Sequence, residues 1–218
     1  MPLPLIPLAV AGVVALAAGG VAVVQTQKAK KKLEGKKVAV IGGEQTGKTA
    51  LLHYLEQGTW LDSSTPSPNV DKSGRTFELD IDGATVAFSV TRDVSGTQGP
   101  SYLEWRKAVE DAHYIWYLFR ADRVDIPDSE DAQLVAKHLR RLTHWLKESG
   151  SKATVILVGT HADLHPRFPG DFSQIFKEMN EIEAIKVASL KIGARVVVGS
   201  LHTPEDAKKL RDQIRGKL

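Results

Sequence analysis

The chain has 218 residues, 42% of them hydrophobic and 25% charged, with no cysteine and a formal net charge of +3 at pH 7. That composition fits one folded domain with an appendage and is too apolar for global disorder. The missing thiols exclude disulfides, thiolate catalysis and cysteine-ligated zinc.

The first element is apolar. From Leu3 to Val24 no residue is charged. At 1.5 Å of rise per residue, about 20 residues cross a hydrocarbon core of roughly 30 Å. Pro2, Pro4 and Pro7 sit where a helix tolerates proline best, and Leu8 to Val24 contains none. Residues 1–27 therefore read as a single transmembrane anchor. The positive charge follows at once: Lys28, Lys30, Lys31, Lys32, Lys36 and Lys37, opposed by Glu34. A secretory signal has its cations before the apolar run, not after it. Cations stay on the cytosolic side and attract anionic head groups, so the rest of the chain is expected to face the cytosol, joined by a basic linker over 28–36. Elsewhere acids and bases nearly balance, which argues against nucleic acid as a partner.

Strands and helices alternate from Lys37 onward. Lys37 to Ile41 is a short apolar run that stops at glycines, as a buried strand does. Thr49 to Gln57 suits a helix, and Leu61 to Gly74 is a polar, proline-containing loop. Thr76 to Ile81 and Ala84 to Thr91 read as two strands of a hairpin turned by Asp82-Gly83. Tyr102 to Ala112 is helical in pattern, and Tyr114 to Phe119 is an aromatic, apolar strand. Ser129 caps a helix that runs to Ser149 and stops at Gly150. Ala153 to Gly159 is a strand, Phe172 to Leu190 a helix, and Arg195 to Val198 the last strand. Thr203-Pro-Glu-Asp206 opens the final helix with a cap and an early proline. One hairpin in a βαβα series predicts an α/β, three-layer fold. Its six-stranded sheet would be mainly parallel, with one antiparallel edge strand and helices on both faces.

The chemistry concentrates in three places. Gly42-Gly43-Glu44-Gln45-Thr46-Gly47-Lys48-Thr49 matches G-x-x-x-x-G-K-[ST] between a strand and a helix. Glycines there let backbone amides surround phosphate oxygens at a helix N-terminus. Lys48 can bridge β and γ phosphates, and the Thr49 hydroxyl can ligate Mg²⁺. Asp93-Val-Ser-Gly96 follows the hairpin, where a carboxylate can hold a Mg²⁺-bound water and a glycine amide can reach a γ-phosphate. Thr160-His161-Ala162-Asp163 follows a buried strand. A carboxylate accepts from both the N1–H and the 2-amino group of guanine, a pair adenine lacks, so Asp163 is the candidate base-selecting residue.

With these motifs in this order, Lys37 to Leu218 resembles the Ras-like small GTPase domain of the P-loop GTPase superfamily. Histidine in the guanine motif is similar to Roc domains. The anchor-plus-domain layout looks like the beta subunit of the signal recognition particle receptor. The resemblance implies GTP or GDP with Mg²⁺ and two loops that respond to the γ-phosphate. It would place the nucleotide on Gly42, Gly43, Glu44, Gln45, Thr46, Gly47, Lys48, Thr49, Ala50, Gly96, Thr160, His161, Asp163, Ser200 and Leu201. The metal would fall to Thr49, Asp93 and Thr65, with Ser67 the alternative to Thr65. Lys48 and Gln98 would be the catalytic residues. Thr97 occupies the place where relatives carry a water-orienting glutamine, so Gln98 is displaced by one and hydrolysis is expected to be slow. The last family motif keeps only Ser200. These departures also fit a nucleotide-bound scaffold that docks a membrane complex. Either way, a protein partner would read the two loops.

Overall fold

The computed structural model describes residues 34–57, 75–81, 84–90, 99–124, 129–166 and 172–218. Strand β1 is Lys37–Gly42, with Val38, Ala39, Val40 and Ile41 buried on both faces. That is the burial expected of a parallel strand covered by helices on both sides. Helix α1 follows at Lys48–Gln57. Strands β2 (Arg75–Ile81) and β3 (Ala84–Val90) form the expected antiparallel hairpin, in register from Arg75 opposite Val90 to Ile81 opposite Ala84. Helix α2 is Gly99–Glu110, β4 is Tyr114–Arg120, and a single turn, α3, is Ala121–Val124. Helix α4 is Glu130–Ser149 and β5 is Thr154–Thr160. Then come α5 (Phe172–Glu181), α6 (Glu183–Ile192), β6 (Arg195–Val198) and α7 (Pro204–Arg215).

The sheet order is β2-β3-β1-β4-β5-β6. Five strands are parallel, and β2 lies antiparallel at one edge. Alternation along each strand divides the core into two layers. Ala39, Ile41, Ile115, Tyr117 and Phe119 point to one side, where Trp105, Leu142, Trp145 and Met179 cover them. Val38, Val40, Trp116, Leu118 and Ile156 point to the other, against Leu51, Leu52, Leu210 and Ile214. Trp105, Trp116 and Trp145 are thus core residues.

The capping residues act as their sequence suggests. Ser129 accepts the Ala132 amide, Gly150 closes α4 in the left-handed region at φ 63°, and Thr203 accepts the Asp206 amide ahead of Pro204. One element differs. The single helix expected over Phe172 to Leu190 is two, α5 and α6. Ile182 is extended between them (φ −64°, ψ 120°), and its carbonyl receives the amides of both Ile185 and Lys186. Apolar spacing continues across the break, so periodicity alone does not reveal it.

Among the described residues no helix is long and apolar enough to cross a membrane. The anchor over 1–27, most of the linker, the Asp82-Gly83 turn, and the loops carrying Thr65, Ser67, Asp93, Gly96, Thr97 and Gln98 all lie outside the described residues.

Candidate functional site

Strands β1, β4, β5 and β6 run parallel, so their C-terminal ends share one edge of the sheet. Open α/β sheets place ligands at that edge. Gly42 to Gly47 turns there from β1 into α1. A Cβ on Gly42 would stand 2.5 Å from the Leu118 carbonyl oxygen and 2.9 Å from Thr46 Oγ1. The obstacle at 2.5 Å is backbone of the adjacent strand, which cannot swing aside. Gly42→Ala is expected to cost about 2 kcal/mol of stability through this overlap. Urea denaturation of the purified chain checks this, and an unchanged midpoint would show that the turn has room.

Gly47 sits at φ 79°, and a Cβ there would meet Leu201 Cδ1 at 3.2 Å and His161 Cε1 at 3.8 Å. Gln45 also takes a left-handed backbone, φ 55°, which costs a non-glycine residue about 1 kcal/mol. Lys48 is buried, and its Nζ donates to the carbonyls of Gly42 at 2.9 Å and Gly43 at 2.6 Å. Thr46 Oγ1 donates to the Gly43 carbonyl at 3.0 Å. The first turn of α1 contains no acidic side chain. Its leading amides have no intrahelical acceptor and, with the macrodipole, favour an anion. Thr49 is exposed in that turn, with Ala50 half-buried beside it and Glu44 and Gln45 exposed on the loop. The donor set suits phosphate oxygens, and Thr49 adds an exposed hydroxyl residue beside it.

The loop after β5 comes to the same edge. Ala162–Leu164 forms a single 3₁₀ turn. The Ala162 amide donates to Gly199 O, and the Gly199 amide to Gly159 O, which ties this turn to the end of β6. Ser200 is fully buried and donates from Oγ to Asp163 Oδ1 at 2.5 Å while accepting the His202 amide at 2.9 Å. The Asp163 carboxylate is thus oriented by Ser200. Thr160 Oγ1 reaches the Thr46 carbonyl at 3.0 Å and the Phe119 carbonyl at 3.1 Å. This joins the loop after β5 to the loop between β1 and α1 across 114 residues of sequence.

Two features escape sequence reasoning. Arg120 grips Asp122 with two bonds, Nε to Oδ1 at 3.0 Å and Nη2 to Oδ2 at 2.7 Å, both groups being largely buried. The hydrogen bond to Asp122 leads in raising the Arg120 pKa, and the charges of Asp122, Asp131 and Asp163 add to it. Arg120 also helps to hold His161 below its ordinary pKa, second to burial, while Asp122 and Asp163 pull the other way. The second feature is a cavity of about 290 Å³ beside the phosphate loop, lined by Glu44, Gln45, Tyr117, Arg120 and His138 among others. Nothing local in the sequence marks either one. Arg120 merely ends an apolar strand, and His138 falls on the apolar side of an amphipathic helix.

No protein-family model matches the chain, and no curated protein sequence matches it. Solved structures do. A mutation variant of SsGBP is 17% identical with a TM-score of 0.53, over 83% of this chain and 54% of that one. A GTP-binding protein from the hyperthermophilic archaeon Sulfolobus solfataricus, in complex with GDP, is 15% identical with a TM-score of 0.53, over 84% of this chain and 50% of that one. The chain spans about half the length of these structures. At such identities the likeness establishes the fold alone: this chain shares the α/β fold of these two structures.

Proposed function

We propose that the chain is a guanine-nucleotide-binding switch protein, held at a membrane by its N-terminal segment with the nucleotide domain on the cytosolic side. The observation that carries the nucleotide reading is the position of Asp163. Ser200 fixes the carboxylate, and its loop is bonded through Thr160 to the phosphate loop. Phosphate groups would rest on Gly42 to Ala50, and a guanine edge on Asp163. Mg²⁺ held by Thr49, with Asp93 and Thr65, would neutralise phosphate charge as nucleotides of this kind require. Within this reading Lys48 supplies a fixed cation, and Thr160 sets the distance between base and phosphate sites.

Titration calorimetry of the purified full chain with GDP and with GTP, Mg²⁺ present, tests the reading. Saturable heat that a large excess of ATP does not displace is the expected result. Absence of heat with both guanosine nucleotides would remove the basis for it. Membrane attachment is tested separately by carbonate extraction of membranes from cells making the full chain; release into the supernatant would rule out a spanning anchor.

The displaced Gln98 favours slow turnover, or a bound-nucleotide scaffold. Single-turnover phosphate release should therefore change less than about twofold in Gln98→Ala, since a carboxamide one position away from the relatives' glutamine is not expected to orient the attacking water. A large loss would make Gln98 the catalytic residue after all.

A further inference from the structure

His161 stands where the family pattern has lysine, and its surroundings say what it does instead. Its backbone is left-handed, φ 56°, with no side-chain cap bond at the 3₁₀ turn that follows. Its Nδ1 lies 2.9 Å from Thr160 Oγ1. That hydroxyl is fully buried and has one proton and two lone pairs. It faces three atoms: Nδ1, the Thr46 carbonyl at 3.0 Å and the Phe119 carbonyl at 3.1 Å. Both carbonyls can only accept. Were Nδ1 bare, it would compete with both carbonyls for the single proton, and the Thr46 carbonyl could lose its bond from Thr160. Leaving a buried acceptor unserved costs about 1–3 kcal/mol. With the proton on Nδ1, the imidazole donates to Oγ1, and the hydroxyl proton is left to the two carbonyls. The tautomer is thus assigned by the network. The ring also rests close to Gly47, where Cε1 would be 3.8 Å from a Cβ.

We propose that His161 is a positioning residue for the phosphate loop: its Nδ1–H directs the Thr160 hydroxyl onto the Thr46 carbonyl, so that base-recognition and phosphate loops are held as one unit. The side chain acts through Thr160 and not as a cation offered to the nucleotide. The neutral state of the ring agrees, since burial and then Arg120 disfavour its protonation, with Arg123 adding to them against Asp122 and Asp163. The proposal rests on the guanine-nucleotide reading for its consequence, but the lock between the loops can be measured without nucleotide.

Three variants separate a donor from a cation. His161→Asn keeps an N–H close to the Nδ1 position and tolerates a left-handed backbone. His161→Leu removes the donor, and His161→Lys restores the family's cation without a donor at that place. In the nucleotide-free full chain, ¹⁵N shifts of the imidazole should report the Nδ1–H tautomer. Amide hydrogen exchange over residues 46–49 should quicken about fivefold or more in His161→Leu and His161→Lys, the scale of one net hydrogen bond, and stay near wild type in His161→Asn. Dissociation of a fluorescent GDP should follow the same order. An Nε2–H tautomer, unchanged exchange in His161→Leu, or GDP release from His161→Lys as slow as from wild type would each overturn the proposal. Failure of every variant and of wild type to bind GDP, with the exchange pattern intact, would instead count against the nucleotide reading and leave the lock standing.

Discussion

Asp163→Asn is expected to weaken GDP and GTP by about 2–3 kcal/mol, roughly 30- to 150-fold, and to leave ATP unchanged. The direction follows from Ser200. In the native chain Ser200 Oγ–H donates to Oδ1 at 2.5 Å, and a carboxylate still has lone pairs for two further donors. After substitution one terminal atom is an oxygen and the other an NH₂. The Ser200 proton holds the amide oxygen, which turns the NH₂ toward the purine. Guanine presents N1–H and a 2-amino group there, so donor meets donor. Adenine presents no such pair and has nothing to lose. A purine with a carbonyl oxygen at C2, as in xanthosine diphosphate, can accept from the substituted amide and should regain part of the affinity. Competition of GDP, xanthosine diphosphate and ATP against a fluorescent nucleotide measures all three. Equal losses for guanine and adenine nucleotides would mean that the substitution damages the loop and that Asp163 does not read the base. Ser200→Ala provides an internal control. It frees the carboxylate to rotate without changing its charge, so it should weaken GDP by less than Asp163→Asn does.

The residues that could be found from sequence are those whose chemistry is local. The phosphate loop announces itself because its glycines, lysine and threonine are consecutive and follow an apolar run that stops at Gly42. Thr160 and Asp163 are legible for the same reason, coming after a strand whose side chains from Val155 to Val158 are all apolar. Caps at Ser129 and Thr203 are local too. What could not be read are pairings across long stretches of chain. Thr160 with the Thr46 carbonyl, Ser200 with Asp163, and Tyr117 with His138 depend on the order of the strands and on which helix covers them. The break at Ile182 is hidden because Ile175, Met179, Ile182, Ile185 and Ala188 recur three or four residues apart through it. Only the extended backbone of one residue marks the change of direction.

Acid should destabilise the native chain through His138 by about 3 kcal/mol between pH 7 and pH 4, a slope that His138→Gln should lack. His138 lies on α4 at 1% exposure, packed edge-on against Trp105 with ring centroids 4.8 Å apart and near Tyr102 and Tyr117. Its Nδ1 meets the Tyr117 hydroxyl at 3.1 Å, and its Nε2 is buried without a hydrogen-bond partner. Burial chiefly lowers its pKa from 6.5 to about 4, with further contributions from the charges of Lys137, Arg141 and Lys48. The folded pKa is therefore depressed for a group that is cationic when protonated. Above pH 6.5 both states are neutral and the full stability is present. As pH falls from 6.5 toward 4, the unfolded chain takes up a proton that the native chain refuses, and stability falls with it. About 2 kcal/mol should be gone by pH 5. His138→Gln offers Tyr117 a hydrogen-bonding side chain that does not titrate. Urea denaturation of both proteins at pH 7 and pH 5 gives the quantity needed: the loss on acidification should be about 2 kcal/mol smaller in the variant, whatever its stability at pH 7. Equal losses in the two proteins would mean that His138 takes its proton without unfolding. The Lys48 contribution adds a consequence at the site. A bound phosphate would offset that positive charge, so the imidazole ¹H resonance of His138 should titrate at higher pH when nucleotide is present than when it is absent.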